Sequence, residues 1–250
     1  MASLSDLVSH CQARLDVPAF PDFPGAFNGL QVANNGTVSR IGAAVDAGLE
    51  PFRRAAAKGI DFLILHHGLF WDPPRPLVGP TFEKIGLLVR ANMAVYAAHL
   101  PLDAHPDLGN NALLARRLRL DPVSTFHSYQ GRDIGLIAQG GLARADLRRR
   151  LDALFARVTA IESGSAWPER IAVVTGSGGS AVPELKAAGV DTLVTGDLKE
   201  HLFSVAEEEG LNLFACGHYA TEVFGVCALA EELAKKFDLP WEFIPTDNPL

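Results

Sequence analysis

Six side chains in this sequence are of types that bind transition metals and are spaced so that a fold could gather them: His66, His67, His99, Asp103, His218 and Glu222. Imidazole nitrogen combined with carboxylate oxygen suits Zn, Fe, Mn, Co or Ni, not Ca, which prefers all-oxygen surroundings. The set is larger than one tetrahedral ion needs. It matches two divalent ions about 3.5–4 Å apart, sharing a bridging carboxylate and a bridging water. Neighbouring residues on a strand point to opposite faces. His66 and His67 therefore reach one site only where the strand has ended, or each serves a different ion. A single histidine at a strand end is more often a hydrogen-bonded core or surface residue. The weight comes from concurrence, because all six fall at or just beyond the ends of expected strands.

Those ends follow from hydrophobic patterning. Residues 61–67 (DFLILHH) are a short apolar run after Gly59 and read as a buried strand. In α/β proteins such strand ends are where ligand groups usually lie. Strands are also expected at 40–47, 93–98, 133–138, 171–175, 192–195 and 213–215, with an edge strand at 241–244. Helices are expected at the N-terminus, capped by Ser3 or Ser5, and at 50–58, 81–92, 110–120, 142–158, 182–188, 199–209 and 221–237. Residues 72–76, with three prolines, read as a loop. The alternation gives an α/β architecture.

The halves also resemble each other. Setting Arg40-Ile41 on Arg170-Ile171 without gaps brings Gly59-Ile60-Asp61 onto Gly189-Val190-Asp191 and His66-His67 onto Gly196-Asp197. A second alignment sets 94–103 (AVYAAHLPLD) on 213–222 (LFACGHYATE), placing His99 on His218 and Asp103 on Glu222. A duplicated β-α-β unit is the simplest account. The expectation is one domain, 1–250, of two similar β-α-β lobes, about 1–125 and 126–250, with a metal site in the cleft between them.

Composition narrows the function classes. A chain of 250 residues, 48% hydrophobic, can bury a large core and is not disordered. Its net charge of −7, without a basic stripe, argues against a nucleic-acid partner. No apolar stretch approaches the roughly 20 residues of a membrane span. The N-terminal MASLSDLVSHCQARL lacks the apolar core of a signal peptide. A soluble, cytoplasmic protein is expected. Cys11, Cys216 and Cys227 form no CxxC pair and read as reduced, buried residues; the alternative is a thiolate ligand at Cys216, two residues before His218. The arginines of 142–158 (Arg144, Arg148, Arg149, Arg150 and Arg157) read as a solvated face. Gly176-Ser177-Gly178-Gly179 reads as a turn needing positive φ in preference to a phosphate cradle. His201, in TGDLKEH, either lines the same pocket or is exposed.

The segments NGLQV (28–32), HHGLFW (66–71), HLPLDAHPDLGNN (99–111), TGSGGS, TGD-KEH and GHYATE (217–222) resemble, in order and over nearly the whole chain, the motifs of the Nif-three-like family, also labelled GTP cyclohydrolase I type two or its homologues. The length resembles the short bacterial form. The resemblance implies a dinuclear metal site in which His66 and His67 each bind one ion, Asp103 the first, His218 the second, and Glu222 bridges. It leaves His99 as a neighbouring residue that ligates or carries protons. It also implies a homohexamer. AFNGLQV lacks the acidic residue that some members have just before Asn28, which leaves that position's role open.

Three functions fit. One is a dinuclear-metal-dependent hydrolase acting on a small, nucleotide-like substrate, with His99 or His201 shuttling protons. No guanine-reading or triphosphate-binding motif is evident. The second is a non-catalytic metal-binding or metal-delivery protein. The third is a metal-dependent interaction or regulatory protein.

Overall fold

The computed structural model describes residues 1–71 and 75–250. In chain order the elements are β1 (Ala2–Ser3), α1 (Leu4–Arg14), β2 (Gly29–Val32), β3 (Thr37–Val38), β4 (Ile41–Asp46), α2 (Leu49–Ala57), β5 (Phe62–His67), α3 (Gly79–Arg90), β6 (Ala94–Ala97), α4 (Leu100–Asp103) and α5 (Asn110–Arg117). Then follow β7 (Asp121–Tyr129), β8 (Arg132–Gln139), α6 (Arg144–Leu154), β9 (Thr159–Glu162), β10 (Arg170–Val174), β11 (Thr192–Thr195), α7 (Leu202–Glu209), β12 (Asn212–Ala215), α8 (His218–Phe237) and β13 (Trp241–Phe243). Part of the expected proline loop, residues 72–74, lies outside the described residues. No described helix is long and apolar enough to cross a membrane.

The chain forms two compact units. The first comprises Met1–Leu102 and Gly225–Asp247, the second Asp103–Phe224 and Asn248–Leu250. The division thus falls after Leu102 instead of near residue 125, and the later part of α8 counts with the first unit.

The first unit is built on a sheet of order β13-β4-β5-β6-β2, with β13, β4, β5 and β6 parallel and β2 antiparallel to β6. Phe62, Leu63, Ile64 and Leu65 are all buried, as a strand covered on both faces requires. α2 and α3 contribute Phe52, Ala55 and Leu88 to the cluster that holds Leu63, Leu65 and Val95. Gly59 ends the α2 turn at φ +68, a backbone state that glycine enters without strain. β13 takes the edge position expected of 241–244.

The second unit has the sheet β7-β8-β10-β11-β12-β9. Its two faces are legible as alternation. Ile171, Val173, Val194 and Phe214 pack with α5 and α6, whereas Ala172, Val174, Leu193 and Leu213 pack with α7 and the preceding 3-10 segment.

The repeat is present in the ladders: both units carry three parallel strands in chain order, with an antiparallel strand on the third. Ile41 pairs with Phe62 as Ile171 pairs with Thr192, in agreement with the first alignment. The second alignment is corrected by one residue. Phe62 pairs with Ala94, whereas Thr192 pairs with Asn212, so Ala94 answers to Asn212 and His99 to Gly217. The amides of Ala98 and Cys216, donating to Leu65 and Thr195, carry that register to the strand ends. His99 and His218 share a residue type, not a ladder position.

Other expectations are also corrected. Residues 182–188 do not form an α-helix. A 3-10 segment, Gly178–Glu184, stands there, and Pro183 within it has no amide to donate. The helix expected at 142–158 stops at Leu154, which leaves room for β9. The hairpin of β7 and β8 has no counterpart in the expected strands before 133. β7 is mostly exposed and polar, so it lacks an apolar alternation, but Gln130 and Gly131, both at positive φ, form its two-residue turn.

Candidate metal centre

In the first unit, β5 delivers His66 and His67, and the turn after β6 delivers His99. Each offers one ring nitrogen, and the three atoms lie within 4.8 Å of one another. His66 is fully buried. Its Nδ1 lies 2.9 Å from the carbonyl oxygen of Ala98 and donates to it, since a carbonyl only accepts. His67 Nδ1 donates to Asp46 Oδ1 at 2.8 Å, and Asp46 is its ladder partner on β4. His99 Nδ1 donates to Asp22 Oδ1 at 2.8 Å. With Nδ1 held by an acceptor in all three, Nε2 is the ring nitrogen left to offer a metal ion, the pattern of metal-binding histidines. Trp71 closes the group edge-on, its ring 4.8 Å from that of His99. The adjacent histidines both join the group although β5 continues through His67, with ring centroids 4.8 Å apart.

Asp22 is itself held in place. It accepts from Asn28 Nδ2 at 2.7 Å, while Asn28 Oδ1 accepts the His99 amide. Burial pushes the Asp22 carboxyl up, but the hydrogen bonds from His99, Asn28 and the Phe23 amide, with the charge of His99, hold it below the usual carboxylate range.

In the second unit, α4 supplies Asp103, and the first turns of α8 supply His218 and Glu222. Asp103 and Glu222 are only 7% and 2% exposed, and charged residues so deeply buried need strong partners. Asn110 Nδ2 donates to Asp103 Oδ1 at 2.7 Å. Asn111 braces the same loop, donating to the carbonyls of Asp103 and Ile134 and accepting the Thr175 amide. Gly109 permits this packing, because a Cβ there would collide with the His105 carbonyl. His218 Nδ1 donates to Asp197 Oδ2 at 2.7 Å, and its Nε2 lies 3.2 Å from Glu222 Oε1. The hydrogen bond with Glu222 raises the His218 pKa to about 9 against the opposing effect of burial, with Asp197 adding to the rise. A cation bound there displaces a proton.

Gly176 is the close-approach glycine of this site. It stands at φ +62, and a Cβ there would collide with Glu222 Oε1. The amides of Gly176 and Gly178 are taken by the hydroxyls of Thr221 and Thr195, so the glycine run is a turn and not an anion cradle. Cys216 is buried in the core, which pushes its thiol up to about 12, and it joins none of the ligand groups among the described residues. His201 is exposed before α7 and joins none of the ligand groups among the described residues.

Sequence reasoning did not single out the residues that hold the ligand candidates: Asp22, Asp46, Asp197, Asn110 and Asn111. Asp197 carried a signal, since the first alignment set it on His67, and Asn110 and Asn111 lay in the HLPLDAHPDLGNN stretch.

A family model described as Duf34/NIF3 (NGG1p interacting factor 3) matches residues 2–249. A Deinococcus radiodurans protein named GTP cyclohydrolase 1 type 2 homolog is 40% identical over 244 residues, 96% of this chain and 91% of its own. An Archaeoglobus fulgidus protein of the same name is 35% identical over 247 residues, 98% and 99% of the two chains. Among solved structures, TTHA1606 from Thermus thermophilus superposes with a TM-score of 0.88 at 38% identity, covering 100% of both chains. Reduced HcgD from Methanocaldococcus jannaschii gives 0.85 at 26% identity, covering 98% of each.

Proposed function

The chain belongs to the Duf34/NIF3 family, and from that premise we propose that it is a dinuclear-metal-dependent hydrolase of a small, nucleotide-like substrate. In this reading His66, His67, Asp103, His218 and Glu222 would hold two divalent ions. The observation that carries it is that His66, His67 and His218 each have Nδ1 held by an acceptor, which leaves Nε2 as the ligand atom, while Asp103 and Glu222 are buried carboxylates. The donor set, imidazole with buried carboxylate, fits Zn, Fe, Mn, Co or Ni. When bound, such ions acidify water and polarise a carbonyl or phosphoryl oxygen.

The residues of the chain do the rest. Asp46 and Asp197 fix the rings of His67 and His218, and Asn110 fixes the carboxylate of Asp103. His99, held by Asp22, takes and returns a proton at Nε2. The rings of Trp71, edge-on, and Phe23, tilted, lie beside that of His99.

Two measurements test the proposal. Elemental analysis of protein purified without added metal should give about two ions per chain. The loaded protein should turn over at least one member of a panel of phosphate esters, nucleotides and cyclic amides, and His67→Ala and Glu222→Ala should abolish that turnover with the fold intact. Tight metal retention without turnover favours the second reading, a metal-storing or metal-delivering protein, to which the deep burial of His66 and Glu222 also lends support.

A further inference from the structure

Four of the five arginines on and just after α6 have partners in the fold. Arg144 reaches Asn212, Arg148 pairs with Asp152, Arg149 with Asp146, and Arg150 with the carbonyl of Leu118. Arg157 differs. It is exposed and makes no hydrogen bond or ion pair among the described residues. It borders a cavity of about 450 Å³ that lies wholly within the second unit and is also lined by His218 and Asp197. The remaining wall is mainly apolar, including Leu198, Ala215, Ala220 and Pro249. Residues 248–250 close one side, where the Leu250 carbonyl accepts the Tyr219 amide at 2.9 Å at the start of α8.

A guanidinium with no partner among the described residues, beside an apolar recess and next to a candidate ligand, is arranged to take an anion from a bound molecule. Its planar fork of donors matches an oxyanion. Apolar walls with a few placed polar groups are the usual make-up of a small-molecule pocket. We infer that this cavity is the substrate pocket, and that Arg157 binds the single anionic group, phosphate or carboxylate, of a small molecule whose apolar body lies against Leu198 and Ala220. A single guanidinium suits one such group, not a triphosphate. The inference rests on the proposed role of His218 as a ligand, and it supplies the substrate class for that site.

Equilibrium binding tests it without turnover. The full chain, metal-loaded and metal-stripped, is titrated with phenylphosphonate, benzoate and neutral benzyl alcohol, alongside Arg157→Gln, Arg157→Lys and Ala156→Trp, the last of which narrows the cavity. Phenylphosphonate or benzoate should bind more tightly than benzyl alcohol, and whichever is preferred identifies the anion class. Arg157→Gln should weaken that binding about tenfold or more, Arg157→Lys should keep part of it, and Ala156→Trp should weaken all three probes. Metal content should be unchanged in every variant. The Arg157 dependence should persist in stripped protein, which separates this inference from the hydrolase reading. Equal affinity in wild type and Arg157→Gln, or binding that vanishes with the metal and is indifferent to Arg157, overturns it.

Discussion

At the residue scale, the site consists of ligand candidates and the groups that aim them. His67 is aimed by Asp46, which sits opposite it on the parallel ladder. Replacing Asp46 with Ala should lower metal affinity roughly 10–100-fold, read by competition with a chromophoric chelator, while His201→Ala leaves it unchanged. An Asp46→Ala variant that binds as wild type would remove the aiming role. Gly176→Ala should destabilise the protein by more than about 1 kcal/mol in urea unfolding, since a left-handed residue alone costs about that much and the new methyl collides with Glu222. The ligand types were legible because histidine pairs and His-x-x-x-acid spacings stand out in a sequence. Asp46 and Asp22 were not, because only the strand register and the Pro-rich turn bring them to their histidines.

At the element scale, α1 is tied to α8 within the first unit. Glu232 accepts from His10 at 2.8 Å and pairs with Arg14. Its burial would raise the carboxyl, yet the hydrogen bonds and charges of His10 and Arg14 prevail and hold it low. A carboxylate depressed in the folded state adds stability above its unfolded pKa and loses it as pH falls through the folded value. Glu232→Gln should therefore be less stable than wild type at neutral pH, by at most about 1 kcal/mol for a pair this open to solvent. The gap should close on the acid side of the ordinary carboxylate range, as followed by urea unfolding against pH. A gap that persists unchanged at acid pH would mean that packing, not charge, is lost. The parallel strands were legible as apolar runs. β7, β9 and β2 were not, since flanking strands exposed on one side carry weak patterns, and the 3-10 segment escaped because Pro183 looks compatible with a helix start.

At the scale of the whole molecule, bound ions should act as folding ligands. If both bind only the native chain, chelation should lower the thermal midpoint, and re-addition at about 100 times the dissociation constant should restore about 2.7 kcal/mol per site. A midpoint indifferent to chelator would show that the ligands fold without metal support. The hexamer implied by the family resemblance remains a proposal, checked by light scattering for six copies of the 26.8 kDa chain. The sequence alone determined the α/β class, the parallel strands of both units and the chemical nature of the ligand candidates, because burial and coordination chemistry are written in residue type and local period. Tertiary structure alone decided which acceptor holds each imidazole, the one-residue register that separates His99 from His218, and the placing of the Arg157 guanidinium at a cavity wall. Each of these depends on which distant backbone lies alongside, and pairing geometry leaves no trace in composition or spacing.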